Sequence, residues 1–495
     1  MPEVGSASNS ITMNVLSLNL PEGVTLAVPA SLTSTTTYVL LEQERWFEKE
    51  MDFLRQWIRP GMAVIDIGAN LGVYSLPIAR WVGRTGRVFA YEPGSEARTL
   101  LERSRELNAA FNLEILPFAM SDREREGRLV FGASSELNAL GERGIGEPVH
   151  IVSLDSENAN HRWPPPDFVK IDAEGEEERI LAGGRHFFEQ YSPLVMFEIK
   201  AGRNVNERLR VLFPALGYRL FRQLVGQPIL VPDNADQPLD GYELNLFAAK
   251  PDRMVALARQ GYLVDSIPPW KASADDYKSA RSFWQSQPFA SWFGVAYESS
   301  SAVDTDYHDC LAAYGVWRAA APPVATRVAA LSFAMQGLRI AVARAPTVER
   351  QSTLARIAWE WGARSECVAV LRRLLETLNA AKTFQISEPF WPAHPRFDSM
   401  TKSVGQAGHL FVGAAAEQFE QSGAYSSLFT GASPVLAWLC QLSFSAAEME
   451  RRRVLLAARS GQQPEVPLRL CTVTLDHLNA DLWRTGQVPG TVVKA

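Results

Sequence analysis

The sequence predicts an α/β fold of the Rossmann-like type, followed by a mainly α-helical C-terminal region. Between about residues 40 and 250, short apolar runs alternate with helical patterns, which requires a parallel sheet. The segment AVIDIGANLGVY (63–74) is typical of a strand, a glycine turn and a helix start. After Pro251 strand patterns become rare and helical patterns dominate.

Seven strands are predicted in the α/β part. The first lies within 63–67, and the others are RVFAYE (87–92), LEILPF (113–118, ending near Ala119), DFVKI (167–171), PLVMFEI (193–199), GYRLFR (217–222) and YELNLFAAK (242–250). No helical pattern separates the last two, which predicts an antiparallel hairpin. GRLVF (127–131) and PVHIVSL (148–154) predict a hairpin outside the main sheet. Before them we expect an edge strand at 24–30, a loop at 33–37 and a helix over 42–58.

The C-terminal half is expected to be helical over 324–343, 347–361, 365–378, 405–421 and 445–459. Residues 352–378 form the pattern of a helical hairpin, similar to a TPR unit but without a second copy. Residues 261–320 are rich in aromatic side chains and irregular, so they either pack between domains or form a substrate platform. The Pro-rich EPFWPAHPRFD (388–398) is a loop that either fastens the helical region or reaches the cleft.

Composition indicates a globular protein of several domains. The chain has 495 residues, 46% hydrophobic and 21% charged, and a net charge of −6, which gives no basic excess for nucleic-acid binding. No apolar run approaches the ~20 residues of a membrane span, and the N-terminal residues lack the pattern of a secretory signal. Four widely spaced cysteines without a C-x-x-C favour free thiols in a cytoplasmic protein.

The glycine turn points to a particular kind of cofactor. Asp66 lies just before Gly68, Asn70 and Gly72. A dinucleotide site would have G-x-G-x-x-G and a phosphate near the helix start, which a carboxylate would repel. A carboxylate suits S-adenosylmethionine, which carries an ammonium and a sulfonium and has no phosphate. A nicotinamide oxidoreductase is therefore disfavoured.

Glu92 ends the second predicted strand, about 20 residues after the turn. At this spacing an acid can accept hydrogen bonds from ribose hydroxyls. NAD enzymes share this geometry, so Glu92 alone does not discriminate between the cofactors. The alternative is a βαβ unit that binds nothing, with Asp66 and Glu92 as surface acids.

Five segments together carry a family resemblance: RPGMAVIDIGANLGVYSL, VFAYEPGSEARTLLERSRELN, AMSDREREGRL, VSLDSEN and DFVKIDAEG. Over about residues 40–250 the chain resembles the FkbM-type family of S-adenosylmethionine-dependent methyltransferases. The resemblance implies a seven-stranded class I methyltransferase fold and usually O-methylation of hydroxyls on sugars or secondary metabolites. It also implies that Glu48, Ser121 and Asp122 match cofactor-side positions, the last two usually near the adenine.

Candidate bases for a hydroxyl acceptor lie at strand ends. Asp172 and Glu174 follow the fourth predicted strand, and Glu198 ends the fifth. A close carboxylate pair raises one pKa, which would bring a base towards neutrality. Alternatively, one of the pair only caps the next helix. No histidine pair has a metal-ligand spacing, so no metal is expected.

We therefore expect an N-terminal extension (1–40), a methyltransferase domain (41–250), a connecting region (251–320) and a helical domain (321–495). The predicted activity is S-adenosylmethionine-dependent O-methylation of a sugar, glycan or glycosylated metabolite. The helical domain is a candidate for protein binding or self-association. Two alternatives stay open: a methyltransferase that acts on peptides or proteins, and a partner-binding scaffold with a secondary methyltransferase domain.

Overall fold

The computed structural model describes residues 14–130, 132, 138–141, 146–161, 163–201, 204–293, 297, 305–381, 384–401, 406–474 and 477–493. The strands are β1 (Val15–Asn19), β2 (Thr25–Pro29), β3 (Ala63–Ile67), β4 (Arg87–Tyr91), β5 (Leu113–Leu116), β6 (Phe118–Ser121), β7 (Arg125–Val130), β8 (Ala139–Gly141), β9 (Glu147–Ser153), β10 (Phe168–Ile171), β11 (Leu194–Glu198), β12 (Lys200–Ala201), β13 (Asn204–Val205), β14 (Arg219–Gln223), β15 (Leu230–Pro232) and β16 (Asn245–Ala249).

The helices of the N-terminal half are α1 (Thr35–Gln43), α2 (Glu50–Trp57), α3 (Ser75–Val82), α4 (Ser95–Leu107), α5 (Leu154–His161), α6 (Glu177–Gly183), α7 (Arg185–Gln190), α8 (Leu209–Ala215) and α9 (Pro251–Arg259). The later helices are α10 (Ala274–Ser286), α11 (Ala290–Phe293), α12 (Thr305–Arg318), α13 (Val324–Arg344), α14 (Val348–Trp361), α15 (Arg364–Ala380), α16 (Ala407–Ser422), α17 (Pro434–Leu439), α18 (Ala447–Arg459) and α19 (Ala480–Arg484).

The main sheet has eight strands in the order β15-β14-β16-β11-β10-β3-β4-β5. The five from β5 to β11 are parallel, whereas β16, β14 and β15 pair antiparallel. The predicted antiparallel pairing of the last two strands is present. The predicted number of strands, seven, was one short, because the edge strand β15 lies between β14 and β16 in the sequence. This short strand pairs with only three residues of β14, so it lacks the length that a sequence pattern needs.

The order in which successive strands are added to the sheet changes side between β3 and β10, and this switch point locates the cleft. β3 is followed by β4 and β5 on one side, and β10 by β11 on the other. In such sheets, ligands bind beyond the carboxyl ends of the strands at this switch point. Alternate residues of each strand face two separate buried clusters, with Val64 and Phe168 in one and Ile65 and Ile171 in the other.

A second sheet of four strands lies beside the first, in the order β6-β9-β7-β8. The predicted hairpin is present as the antiparallel pair β7 and β9. Ala119 was expected at the end of a main-sheet strand, but it belongs to β6 and pairs with Ile151 of β9. Pro117 separates β5 from β6 and cannot donate to a ladder, which accounts for the break.

The N-terminal segment differs from the expectation. The strand expected at 24–30 is present as β2, but its partner β1 lies outside the main sheet. The polar run at 33–37 begins α1 instead of forming a loop, because Ser34 caps it by accepting a hydrogen bond from the Thr37 amide. The helix expected over 42–58 is two helices, α1 and α2, and Glu44 in a left-handed conformation ends the first.

The later region is helical, and four of its five expected helices lie wholly within described residues as α13, α14, α15 and α18. The fifth is α16, and residue 405, where it was expected to begin, lies outside the described residues. The aromatic segment was expected to be irregular but contains α10, α11 and α12. Its large rings, such as Trp284 and Phe289, pack in the helical core together with Trp391 of the Pro-rich loop.

The C-terminal residues pack back onto the α/β part. Val454 and Leu455 of α18 and Trp483 of α19 belong to the same buried cluster as Val64 and Leu18. Among the described residues, no helix is long and apolar enough to cross a membrane.

Candidate functional site

A cavity of about 630 Å³ lies beyond the carboxyl ends of β3, β4, β10 and β11. Its walls include the segment before α2, the ends of the main-sheet strands, residues of the second sheet, and the loop between α16 and α17. The lining residues include Trp46, Phe47, Glu48, Gly68, Asn70, Tyr74, Glu92, Lys170, Asp172, Glu174, Glu198, Tyr242, Tyr425 and Phe429.

The glycine turn forms one end of the cavity. The amides of Gly68 and Ala69 both donate to the carbonyl of Tyr91 at 3.0 Å. Gly68 has φ +80°, and a Cβ there would lie 1.7 Å from the carbonyl oxygen of Asp172, so only glycine fits. Gly72 also has a positive φ, but it packs against Leu101 and is not in the lining. Gly68 thus shapes the cavity directly, whereas Gly72 shapes the turn.

Glu92 lies at the rim of this turn. Its two carboxylate oxygens accept hydrogen bonds from the amides of Asn70 at 2.8 Å and Gly94 at 2.7 Å. Burial raises the pKa of Glu92 to about 7, despite these two bonds. Asn70 lines the cavity in a left-handed conformation (φ 46°), and its Oδ1 is buried without a hydrogen-bond partner among the described residues. Two acceptors therefore face the same end of the cavity.

Asp66 lies beneath the turn and not in the cavity lining. It is fully buried and accepts a hydrogen bond from Ser75 Oγ at 2.5 Å, and its Oδ1 lies 3.8 Å from Lys170 Nζ. Burial raises its pKa, against the opposing effect of Lys170. The expectation that this carboxylate faces the ligand is not met, because its strand position directs the side chain towards α3.

Ser121 and Asp122 are also outside the lining. Ser121 donates to Glu176 Oε2 at 2.6 Å, and Asp122 forms an ion pair with Arg125 at 2.6 Å. The neighbouring Met120 and Glu176 do line the cavity. The side chains that reach the cavity lining here are therefore neighbours of the two residues that the resemblance indicates.

The three candidate bases come together. One carboxyl oxygen each of Asp172, Glu174 and Glu198 lies within 4.8 Å of the others, close enough to hold a cation. Burial, together with the charges of Asp172 and Glu174, raises the pKa of Glu198 to about 11. Lys170 Nζ is 2.8 Å from Asp172 Oδ2. Burial alone would lower the pKa of Lys170, but Asp172 and Asp66 raise it above its usual range.

Glu48, from the segment before α2, is a further carboxyl side chain near this cluster. It accepts hydrogen bonds from Tyr74 OH at 2.5 Å, Trp46 Nε1 at 2.9 Å and Asn245 Nδ2 at 2.9 Å. Burial and the charge of Asp172 raise its pKa. These contacts place Glu48 on the acid-rich side of the cavity, away from the Glu92 rim where a cofactor contact was expected.

The sequence did not predict one aromatic part of the cavity wall. Tyr242, Tyr425 and Phe429 line the cavity, and the last two come from the loop between α16 and α17. No local motif marks this loop. Its proximity to residues 46–48 depends on the packing of elements nearly 400 positions apart.

The fold is an α/β domain with a cavity at the switch point of its sheet. The cavity has glycines and an acid at one end and clustered carboxyls at the other. Residues 66–220 match the family model described as Methyltransferase FkbM domain. This part of the chain is therefore similar to the FkbM methyltransferases, a family of S-adenosylmethionine-dependent enzymes. The family resemblance seen in the sequence is confirmed.

Three solved structures illustrate the similarity. The chain is similar to Methyltransferase FkbM from Methylobacillus flagellatus KT, with 16% identity and a TM-score of 0.27, over 38% of this chain and 43% of that one, which is less than half its length. It is also similar to a SAM-dependent O-methyltransferase from Thermotoga maritima (15%, TM-score 0.26, 48% and 77% covered). A third is an O-methyltransferase from Bacillus cereus in complex with SAH (13%, TM-score 0.24, 44% and 81% covered). The comparison with curated proteins finds no match.

Proposed function

We propose that the protein is an S-adenosylmethionine-dependent O-methyltransferase that acts on a hydroxyl of a sugar, glycan or glycosylated metabolite. The observation that carries this proposal is one cavity with two chemically different ends. Asn70 and Glu92 offer acceptors at the glycine turn, and Asp172, Glu174 and Glu198 gather carboxyls at the other.

The glycine-turn end fits the cofactor. Asn70 Oδ1, a buried acceptor in the cavity lining, lacks a hydrogen-bond partner among the described residues. Glu92 has capacity for further hydrogen bonds, because each carboxylate oxygen accepts more than the single amide bond it has here. We infer that Glu92 accepts from the ribose hydroxyls. When bound, the cofactor supplies a methyl group on a sulfonium centre.

At the other end, the chain must hold the acceptor hydroxyl and take up its proton. Asp172 is the best-placed base, because its side chain is 31% exposed and Lys170 holds one of its oxygens at 2.8 Å. Glu198, with its pKa near 11, is protonated at neutral pH and can donate a hydrogen bond but cannot act as a base. We therefore assign proton uptake to Asp172 and acceptor orientation to Glu198 and Glu174.

Product analysis tests the proposal. The protein is incubated with methyl-labelled S-adenosylmethionine and with separate fractions of oligosaccharides, glycosylated small molecules and peptides. We expect label in a carbohydrate-containing fraction as an alkali-stable methyl ether. Label found only in peptide would contradict the assigned substrate class, and label lost in mild alkali would indicate an ester instead of an ether.

A further inference from the structure

We propose that the C-terminal region completes the acceptor site, and that this site takes a sugar ring without acidic substituents against an aromatic wall. The wall is defined as Phe47, Tyr242, Tyr425 and Phe429. The inference rests on the proposed function and names its acceptor more closely.

The loop 423–429, between α16 and α17, is fixed to the α/β part by hydrogen bonds. Gln43 Nε2 donates to the carbonyl of Tyr425 at 2.5 Å, and the Ser427 amide donates to Glu42 Oε2 at 3.1 Å. Tyr242 OH donates to the carbonyl of Gly423 at 3.0 Å, and Tyr425 OH returns a bond to the carbonyl of Tyr242 at 2.7 Å. The C-terminal region therefore contributes a fixed wall of the cavity.

Contacts with neighbouring rings and with Arg364 fix the positions of the rings in the wall. The ring centroid of Tyr425 lies 5.1 Å from that of Phe47 and 6.0 Å from that of Tyr242. The Arg364 guanidinium lies 4.6 Å from the centroid of Tyr242 and 4.7 Å from that of Tyr425. These two tyrosines border both the main cavity and a neighbouring one of about 320 Å³, whereas Arg364 borders only the neighbour. Arg364 thus holds the rings from the neighbouring side.

Phe429 stands at the mouth of the cavity with 58% of its surface exposed. Phe429 lines the same cavity as the other three rings of the wall, and a contiguous apolar surface in a groove is typical of a ligand-binding site. The flat face of a sugar ring is apolar and stacks on aromatic rings, while its hydroxyls donate to carboxylates. The aromatic wall and the carboxyls of the same cavity match these two properties.

Charge narrows the acceptor further. The described lining contains six carboxyl side chains and a single cationic one, Lys170, which is already paired with Asp172. The six are Glu48, Glu92, Asp172, Glu174, Glu176 and Glu198. Although Glu198 is protonated at neutral pH, a phosphate or carboxylate placed here would still meet the ionised carboxylates of this group and no free cation. The site should therefore accept neutral and amine-bearing sugars and reject uronic acids and sugar phosphates.

Saturation-transfer difference NMR tests this inference on the full chain with its cofactor site filled by SAH. The probes are methyl glycosides of neutral hexoses and deoxyhexoses, an amino sugar, a uronic acid and a sugar phosphate. We expect saturation-transfer signals, which report binding, from the neutral and amino sugars only. Phe429→Ala and Tyr425→Leu should each weaken sugar binding about tenfold and leave the SAH affinity within about twofold. Phe111→Ala removes a ring that is 86% exposed and outside the cavity, and should change neither.

Equal binding of the acidic sugars, binding of no sugar in the set, or unchanged binding by both wall variants would each overturn the inference. The SAH affinity, measured by calorimetry on the same samples, distinguishes failure of this inference from failure of the proposed function. If SAH binds but no sugar does, only the sugar assignment is overturned. If SAH does not bind, the proposed function itself is overturned.

Discussion

Gly68 and the carbonyl of Asp172 are so close that a Cβ atom on residue 68 would lie 1.7 Å from that oxygen. The turn after β3 therefore packs directly on the end of β10, and the two ends of the cavity share one contact. This contact ties the shape of the cofactor end to the position of the proposed base.

Gly68→Ala should consequently destabilise the protein and abolish measurable cofactor binding, because both the clash and the φ of +80° oppose any side chain. Gly217→Ala is the matched control, since Gly217 has φ +82° and a Cβ added there would meet nothing within 4 Å. It should cost only the backbone strain, about 1 kcal/mol. Denaturant unfolding and calorimetry measure both effects. Equal behaviour of the two variants would show that the close contact is not important.

Glu92→Gln should weaken S-adenosylmethionine binding about 10–100-fold, because charge-assisted hydrogen bonds of ~1.5–3 kcal/mol are lost. With a pKa near 7, Glu92 is protonated at lower pH, so wild-type affinity should also decrease as the pH falls from 8 to 6. Calorimetry at several pH values measures this. A pH-independent affinity in the wild type, or an unchanged affinity in the variant, would exclude Glu92 as the ribose acceptor.

The same substitution should stabilise the fold at alkaline pH. The pKa of Glu92 is raised from 4.5 to about 7, so its contribution to stability is complete below pH 4.5 and is lost as the pH rises through 7. Glutamine cannot ionise and avoids this loss. Glu92→Gln should therefore melt higher than the wild type at pH 8 and nearly equally at pH 5. A lower melting temperature at pH 8 would contradict this.

Asp172→Asn should retain cofactor binding and lose turnover by ~10²–10⁴-fold, the usual contribution of a general base. Lys170 then loses its closest ion-pair partner and keeps Asp66 at 3.8 Å, so some loss of stability is expected. Turnover, SAH affinity and melting temperature are measured together. Full turnover in a folded variant would assign proton uptake to another group.

Glu198→Gln should flatten the dependence of stability on pH. Because the folded pKa is raised from 4.5 to about 11, the native state holds an extra proton between these values and loses stability as the pH rises. Glutamine resembles the protonated acid and has no such dependence. Unfolding free energies at pH 6 and 9 should differ less in the variant than in the wild type. Parallel profiles would mean that Glu198 is ionised in the folded protein.

Local sequence patterns predicted the parts of the site that local backbone determines. The glycine turn, Glu92 and the Asp172–Glu174 pair each lie next to a strand end, where short-range rules apply. The direction of Asp66 was not predictable in this way, because it depends on Ser75 and Lys170 across the sheet.

The aromatic wall could not be predicted from the sequence for a different reason. Tyr425 meets Phe47 only through long-range packing of the C-terminal region, and no spacing in the sequence records that contact. Similarly, the edge strand β15 is only three residues long, so pairing with β14 defines it more than its own pattern does.

Calorimetric titration of the wild-type chain with S-adenosylmethionine, SAH and NAD tests the central claim most directly. We predict binding of the first two with micromolar dissociation constants, roughly −8 kcal/mol, and no heat with NAD. Binding of NAD without binding of S-adenosylmethionine or SAH would contradict the claim that this cavity serves methyl transfer.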